Sequence, residues 1–126
     1  DEGLHSFDDV RRHHAMGAAQ GGSVKMLKLG GVTRAHEATK LFAELGMNVN
    51  LAGKTAETSV SSAAVLHLAA SARTLAWGVS PTTPYLATDV VRNPIAVVGG
   101  HVSTPDGPGL GVEVDEDKLA TYARAL

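Results

Sequence analysis

The stretch from Ser23 to Gly31 reads SVKMLKLGG, and it decides how the rest of the chain is interpreted. Lys25 and Lys28 interrupt its apolar residues, and a pair of glycines ends the run just before a helix pattern begins. A short apolar run that ends in glycines and precedes a helix is typical of a buried strand in a parallel α/β unit. We therefore predict a strand over residues 23–29.

Lysine is an unusual residue in a buried strand, so its presence here needs a physical reason. Moving an ammonium group out of water costs several kcal/mol unless the group is ion-paired or releases its proton. Lys25 is therefore a candidate base, and an ion-paired or snorkelling lysine is the structural alternative. Lys28 is more typical of a charge at the edge of a site.

Helix and strand signals continue on both sides of this stretch. Ser6 and Thr33 are typical N-cap residues, and each precedes a helical pattern. The alternation MNVNL from Met47 to Leu51 predicts a strand, because every second residue is apolar. In chain order we predict a helix over 7–19, strand 23–29, helix 34–45, strand 47–51, helix 59–72 and strand 75–80. Such strand and helix alternation with short connections predicts a parallel sheet with right-handed crossovers.

The pattern changes after residue 93. A central glycine pair within residues 95–103 predicts a hairpin, and residues 112–114 predict one more short strand. Asp115 or Asp117 is placed to cap a terminal helix that we expect to reach the chain end. Its apolar stripe consists of Leu119, Tyr122 and Leu126.

Composition limits the possible classes of function. The 126 residues are enough for one modest domain, and the net charge of -2 argues against a nucleic-acid partner. The sequence contains no cysteine, which fits a reducing compartment, and we expect a cytoplasmic location. The longest apolar stretch, residues 62–72, is too short for a membrane span. The chain starts Asp1-Glu2-Gly3 without methionine, and we expect it to be a piece of a longer protein.

Acids and lysines gather at the predicted carboxyl ends of the strands, where ligands bind in parallel α/β folds. These residues are Asp1, Glu2, Lys25, Lys28, Lys54, Glu57 and Ser80. Carboxylates without cysteine suit a hard cation, Mg²⁺ or Mn²⁺. A cation beside a lysine base suggests abstraction of a proton next to a substrate carboxylate.

The same residues carry a resemblance that extends over nearly the whole chain. Its motifs, in order, are DEG, VKMLKLGG, GMNV, AGKTAETS, SAAVLHLAA, YLATDVV and PGLGVEVDE. In their order and spacing they resemble the enolase superfamily, in its muconate cycloisomerase-like branch. The resemblance implies the C-terminal part of a TIM-type (β/α)₇β barrel. Residues 1–93 would form the last barrel strands and helices, and residues 94–126 would pack back toward an N-terminal cap domain.

The resemblance also implies roles for individual residues. Asp1 matches a metal ligand, Lys25 an acid/base lysine, and Glu57 an acid that hydrogen-bonds the substrate carboxylate or its enediolate. Lys54 and Lys28 are expected to contact substrate. The implied activity is that of a Mg²⁺-dependent cycloisomerase, racemase or epimerase acting on a small carboxylate. The other lysine, two more metal ligands and the cap would lie upstream, so the 126-residue chain alone should be inactive.

Other interpretations remain open. The chain is alternatively a non-catalytic half-barrel that associates with a partner chain, or an open doubly wound binding module. Glu57 also suits a helix cap and Lys54 a surface charge. His13, His14 and His67 are better explained as structural histidines than as metal ligands, because adjacent helical residues point in different directions. From the resemblance we expect a homo-oligomer. From the charge and the short apolar stretch we expect neither a nucleic acid nor a membrane as partner.

Overall fold

A computed structural model describes residues 1–123 of the chain. These residues form three short strands and five α-helices, with a single turn of 3₁₀-helix at Thr83–Tyr85. In chain order the elements are α1 (Phe7–Ala15), β1 (Gly21–Val24), α2 (Met26–Leu29), α3 (Val32–Glu44), β2 (Asn48–Ala52), α4 (Ser59–Ser71), β3 (Val79–Ser80) and α5 (Glu116–Ala123). No helix among residues 1–123 is both long enough and apolar enough to cross a bilayer.

The three strands form one parallel sheet in the order β1-β2-β3. Ser23 of β1 lies opposite Asn50 of β2, and Leu51 of β2 lies opposite Val79 of β3. Because each strand is joined to the next through a helix, the carboxyl ends of all three strands lie at the same edge. This confirms the predicted α/β organisation with parallel strands.

The two faces of the sheet differ in chemistry. Val24, Val49 and Leu51 are almost fully buried and belong to the core that includes Phe42 of α3. Gly22 lies on the same face, where an added Cβ would stand 2.9 Å from the Phe42 ring. On the opposite face, Ser23, Asn48 and Asn50 are polar and only partly buried, beside Gly21 and the buried Ala52. The apolar face therefore holds the helices, and the polar face is the one that a barrel would turn inward.

The lysine strand was predicted wrongly over half of its length. The strand ends at Val24, and residues 26–29 form the one-turn helix α2. Gly30 adopts φ 90°, which lets the backbone N–H groups of Gly30 and Gly31 both bond to the carbonyl of Met26. Leu27, expected in the core, is 63% exposed. Four apolar and basic residues ended by glycines fit one helical turn as well as a strand, and the left-handed glycine decides between them.

Other boundaries moved by a few residues. Ser6 caps α1 as predicted, since its hydroxyl accepts the N–H of Asp9 at 3.1 Å, but α1 ends at residue 15. The N-cap of α3 is Gly31, and Thr33 lies inside the helix, whereas Gly46 has the expected left-handed conformation at its end. Only residues 79–80 of the predicted 75–80 strand pair with a neighbour.

The C-terminal segment is less regular than predicted. The expected hairpin is a single bridge between Val98 and His101, and the expected last strand is a bridge from Val114 to Val91. Asp115 accepts the N–H of Lys118, as expected of a helix cap. Leu126, the last residue of the predicted stripe, lies outside the described residues.

Candidate active site

Four charged side chains meet where β1 ends, and we call them the lysine cluster: Asp1, Glu2, Lys25 and Lys28. Lys25 Nζ lies 2.9 Å from Asp1 Oδ2, and Lys28 Nζ lies 3.4 Å from Asp1 Oδ1 and 3.1 Å from Glu2 Oε2. Lys28 also donates to the Asp1 carbonyl at 3.0 Å. One carboxylate is therefore shared by two ammonium groups.

Local structure explains why both lysines reach the same carboxylate. Lys25 is the last extended residue before α2 and serves as its N-cap. Lys28 follows three residues later within the one-turn helix, and residues three apart lie on the same side of a helix. The lysine side chains are only 18% and 15% exposed, whereas Asp1 is 40% exposed. The hydrogen bond and positive charge of Lys28 hold the pKa of Glu2 below its usual value.

Glu57 lies in a second region, the Glu57 loop, which consists of residues 53–58 after β2. The Glu57 carboxylate accepts a hydrogen bond from Ser61 at 2.8 Å, one turn into α4. Its backbone N–H donates to the hydroxyl oxygen of Thr82 at 3.2 Å, and Thr82 donates in turn to the carbonyl of Lys54. Thr82, which follows β3, therefore holds both ends of the loop.

The Glu57 loop is tightly folded. A Cβ on Gly53 would lie 3.0 Å from both Glu57 Oε2 and Thr82 Oγ1, so the absence of a side chain there lets the carboxylate approach the backbone. Ala56 adopts φ 58°, a left-handed conformation that costs a non-glycine residue energy. Strain of this kind persists where the surrounding contacts fix the backbone, and here those contacts fix Glu57.

A hollow of about 360 Å³ lies between the turn formed by α2 and its two glycines and the Glu57 loop. It is lined by Met26, Leu27, Gly30, Gly31, Val32, Glu57 and Ser61. The turn that follows Lys25 and the loop that carries Glu57 therefore border one concave surface. No hydrogen bond or ion pair joins Glu57 to either lysine among residues 1–123.

Lys54 stands apart from these groups. Its side chain is exposed and forms no ion pair or hydrogen bond with the part of the chain that the structure describes; only its carbonyl is engaged. Two of the three predicted structural histidines have protein partners: His13 Nδ1 lies 2.7 Å from the Asp9 carbonyl, and His67 Nε2 lies 3.2 Å from the Leu110 carbonyl.

Asp1, the expected metal ligand, is followed directly by a second acid, Glu2. Within residues 1–123, no group of three or more histidine, aspartate or glutamate side chains converges in a metal-binding arrangement. The donor set still suits Mg²⁺, because two adjacent carboxylates offer hard oxygen ligands at the carboxyl edge of a parallel sheet. Among residues 1–123, these two carboxylates do not by themselves form a metal site.

The sequence pattern missed two residues that fix Glu57. Ser61 lies four positions after Glu57 at the start of a helix, a spacing that could have indicated the contact. Thr82 is 25 residues from Glu57 and 28 from Lys54, so nothing local to the loop pointed to it.

Comparison with known proteins places the chain in one family. The family model described as enolase C-terminal domain-like matches residues 1–118. A chloromuconate cycloisomerase from Cupriavidus pinatubonensis is 35% identical over 126 residues, 99% of this chain and 34% of that protein. The o-succinylbenzoate synthase of Bacillus subtilis is 33% identical over 127 residues, 100% of this chain and 34% of that protein. The chain thus spans about a third of the length of the curated relatives it matches.

Solved structures agree with the sequence relatives. An N-succinyl Arg/Lys racemase from Bacillus cereus superposes with a TM-score of 0.86 at 28% identity, covering 96% of this chain and 32% of that one. An enolase from Gibberella zeae PH-1, solved with magnesium, formate and sulfate, gives a TM-score of 0.85 at 26% identity, over 97% of this chain and 29% of that one. These likenesses confirm the fold class predicted from the sequence, the C-terminal part of a TIM-type barrel.

Proposed function

Because the chain belongs to the enolase C-terminal domain-like family, in its muconate cycloisomerase-like branch, we propose that it is the carboxyl-terminal part of a Mg²⁺-dependent isomerase. The reaction is removal of a proton from the carbon next to a substrate carboxylate, through an enediolate. The observation that carries this proposal is the approach of Lys25 Nζ to 2.9 Å from Asp1 Oδ2 at the carboxyl edge of the sheet.

Lys25 is the acid/base residue of the proposed reaction. It is largely buried and fixed at the end of β1 by the start of α2, so its amine is held in one place. In its neutral form it takes the proton from the α-carbon, and in its charged form it returns a proton to the same face. A positioned group of this kind contributes roughly 10²- to 10⁴-fold to the rate.

Asp1 is the proposed ligand of a divalent cation, with Glu2 beside it. When bound, that cation supplies positive charge that stabilises the negative charge developing on the substrate carboxylate. Asp1 also sets the position of the Lys25 amine through the ion pair already formed. The remaining ligands, and a lysine for the opposite face of the substrate, are proposed to lie upstream.

Glu57 is the proposed hydrogen-bonding partner of the substrate carboxylate or enediolate. Its carboxylate is oriented by Ser61 and its backbone by Thr82, so little reorganisation is needed when substrate binds. Lys54, exposed and without a protein partner among the described residues, is proposed to contact a charged group of the substrate. Lys28 is proposed to bind substrate from the edge of the site, beside Glu2.

The rest of the enzyme is proposed to cover the surfaces left open by this chain. Strands β1 and β3 each have one unpaired edge among the described residues, and large apolar side chains such as Trp77 and Tyr85 are exposed. We propose that residues 1–93 close a barrel with upstream strands and that residues 94–126 pack toward a cap domain. The intact protein is proposed to be a homo-oligomer.

The same exposed surfaces favour one alternative, a non-catalytic half-barrel that binds a partner chain. The two functions are separated by α-proton exchange in ²H₂O, followed by NMR, with N-succinyl-lysine as the first probe. The 126-residue chain alone should show no exchange. The chain joined to its upstream sequence should show exchange that EDTA abolishes and Mg²⁺ restores.

The upstream sequence is a second test. We expect a strand with a Lys-x-Lys pattern and two further strands that end in acids. No exchange with any probe by an intact protein that carries these elements would contradict the isomerase proposal and favour the half-barrel. Exchange that does not depend on metal would contradict the proposed Mg²⁺ dependence.

A further inference from the structure

One polar row crosses all three strands on the face opposite the helices. It consists of Ser23 on β1, Asn50 on β2 and Ser80 on β3. The Ser23 hydroxyl donates to Asn50 Oδ1 at 2.8 Å, and Asn50 Nδ2 lies 3.1 Å from Ser80 Oγ. Because these side chains touch one another, they share the face that a closed barrel turns inward.

The orientation of the Asn50 amide is fixed by the backbone. Its Nδ2 also donates to the carbonyls of Trp77 at 3.2 Å and Gly78 at 3.1 Å. With the amide turned the other way, its oxygen would face two carbonyl oxygens and the arrangement would be repulsive. The amide nitrogen therefore faces Ser80 Oγ, which can only accept from it, and the two amide protons are shared among Ser80 Oγ and the two carbonyl oxygens.

Ser80 is consequently left with a hydroxyl proton to donate. Among residues 1–123 no acceptor lies within hydrogen-bond distance of that proton, and Ser80 is exposed. A hydroxyl that already accepts a hydrogen bond is a better donor, because the two bonds polarise each other. The polar row thus holds one hydroxyl group, that of Ser80, in position to donate a hydrogen bond into the barrel interior.

Strand register places this donor at the level of Lys25. Val24 pairs with Leu51, and Ala52 pairs with Ser80, so Lys25, Ala52 and Ser80 occupy the same step along their strands. Neighbouring strands lie about 4.8 Å apart, which puts the backbones of Lys25 and Ser80 roughly 10 Å from each other. A single small molecule can span that distance.

We propose that Ser80 is a substrate-binding residue and that Asn50 is the positioning residue that aims its hydroxyl. The proposal rests on the proposed function and narrows its substrate class. The substrate carries a second oxygen acceptor, a carboxylate or carbonyl, several atoms from the carbon that Lys25 deprotonates. Ser80 donates its hydrogen bond to that second group.

Binding of simple acids tests this proposal without any turnover. Succinate has two carboxylates and butyrate has one. The difference between their affinities for the intact protein, measured by calorimetric titration in Mg²⁺, therefore reports the contribution of the second carboxylate. A hydrogen bond to a charged group corresponds to roughly a tenfold change in affinity or more. We expect Ser80→Ala to weaken succinate binding about tenfold and to leave butyrate unchanged, with Ser80→Thr close to wild type. The matched control is Ser71→Ala, whose hydroxyl bonds only to the Leu68 carbonyl of its own helix.

Asn50→Asp removes the donating amide while keeping the shape of the side chain. It should weaken succinate binding as Ser80→Ala does. If Asn50→Asp does not fold, the comparison of Ser80→Ala with Ser80→Thr tests the proposal instead. With an exchanging probe, Ser80→Ala should raise KM and leave kcat near wild type. The proposal is overturned if wild type does not prefer succinate to butyrate, or if Ser80→Ala keeps that preference. If the preference depends on Ser80 but no probe exchanges its α-proton, the isomerase proposal fails and the binding site stands.

Discussion

The lysine cluster and the Glu57 loop lie at the same edge of the sheet but are held by different forces. In the lysine cluster, two ammonium groups share one aspartate, with a glutamate at its margin. In the Glu57 loop, the contacts are hydroxyl groups, a strained alanine and a glycine that admits the carboxylate. Ion pairs position the side chains of the lysine cluster. Close packing and hydrogen bonds from hydroxyl groups position the Glu57 loop.

This difference matches the roles proposed for the two regions. A proposed base needs a fixed position next to the substrate, and the ion pair with Asp1 fixes the Lys25 amine. A carboxylate that only orients substrate needs a fixed position, which Ser61 and Thr82 provide. The two regions should therefore respond differently to substitution, salt and pH.

Asp1→Asn should give the largest effect of these substitutions. It removes a proposed metal ligand and the charge shared by both lysines, so we expect at least about a hundredfold loss of exchange. Asp8→Asn is the control, because Asp8 is an exposed helix residue whose ion-pair partner among residues 1–123 is Arg11 alone. Exchange kinetics over a Mg²⁺ titration check the result, and unchanged Mg²⁺ dependence in Asp1→Asn would contradict the proposed ligand role.

Asp89→Ala should destabilise the start of α4, immediately after the Glu57 loop. Asp89 is 5% exposed and accepts the backbone N–H and the hydroxyl of Ser59 at 2.8 and 2.6 Å. Loss of this buried acceptor should lower the free energy of unfolding by roughly 2–4 kcal/mol. Urea denaturation of Asp89→Ala measures this change, with Asp106→Ala, a substitution of an exposed acid, as the control. Equal stabilities of the two variants would exclude an anchoring role for Asp89.

Thr82→Val should loosen the Glu57 loop by a smaller amount. Valine keeps the shape but cannot bond to the Lys54 carbonyl or the Glu57 N–H, and each lost bond costs about 1 kcal/mol. We expect the free energy of unfolding to fall by about 1–2 kcal/mol, equally at low and high salt. Thr82→Ser, which keeps the hydroxyl, should recover most of it, and failure of that rescue would argue against the hydrogen bonds.

Glu2→Gln should have the smallest effect, and one that depends on pH. Lys28 lowers the pKa of Glu2 in the folded state below 4.5, so the pair stabilises the fold at neutral pH. That contribution is lost as pH falls below 4.5 through the folded-state pKa, and about 1 M salt should screen it. Tm of wild type and Glu2→Gln should therefore converge in acid or high salt; a difference that persists there would contradict the ion pair.

Periodic patterns predicted the sheet because its buried positions repeat. Val49 and Leu51 alternate with asparagines, and such alternation indicates a strand whatever its neighbours are. The segment from Met26 to Leu29 lacks a decisive period, and its helix depends on the left-handed Gly30. Helices and strands were therefore predictable where the pattern of apolar and polar residues repeats several times. They were not predictable where a single backbone conformation, such as that of Gly30, decides between helix and strand.

The candidate site was predictable from the sequence only in part. Asp1 and Lys25 were expected at the same edge because parallel strands end together, and the structure brings them into contact. Asn50 gave no such signal, since its amide spans three strands and bonds to Ser80 thirty residues away. Contacts between distant segments require the register of the sheet, which a pattern within one strand does not contain.

If Lys25 moves the substrate α-proton, its removal should abolish isotope exchange at one enantiomer of the substrate. Lys25→Ala in the intact protein, assayed in ²H₂O with each enantiomer of N-succinyl-lysine, should lose exchange from one enantiomer by about 10²- to 10⁴-fold while its Tm stays near wild type. Lys40→Ala, an exposed lysine of α3, should exchange both enantiomers normally. If Lys25→Ala exchanges both enantiomers at the wild-type rate, Lys25 is not the base and the account is wrong.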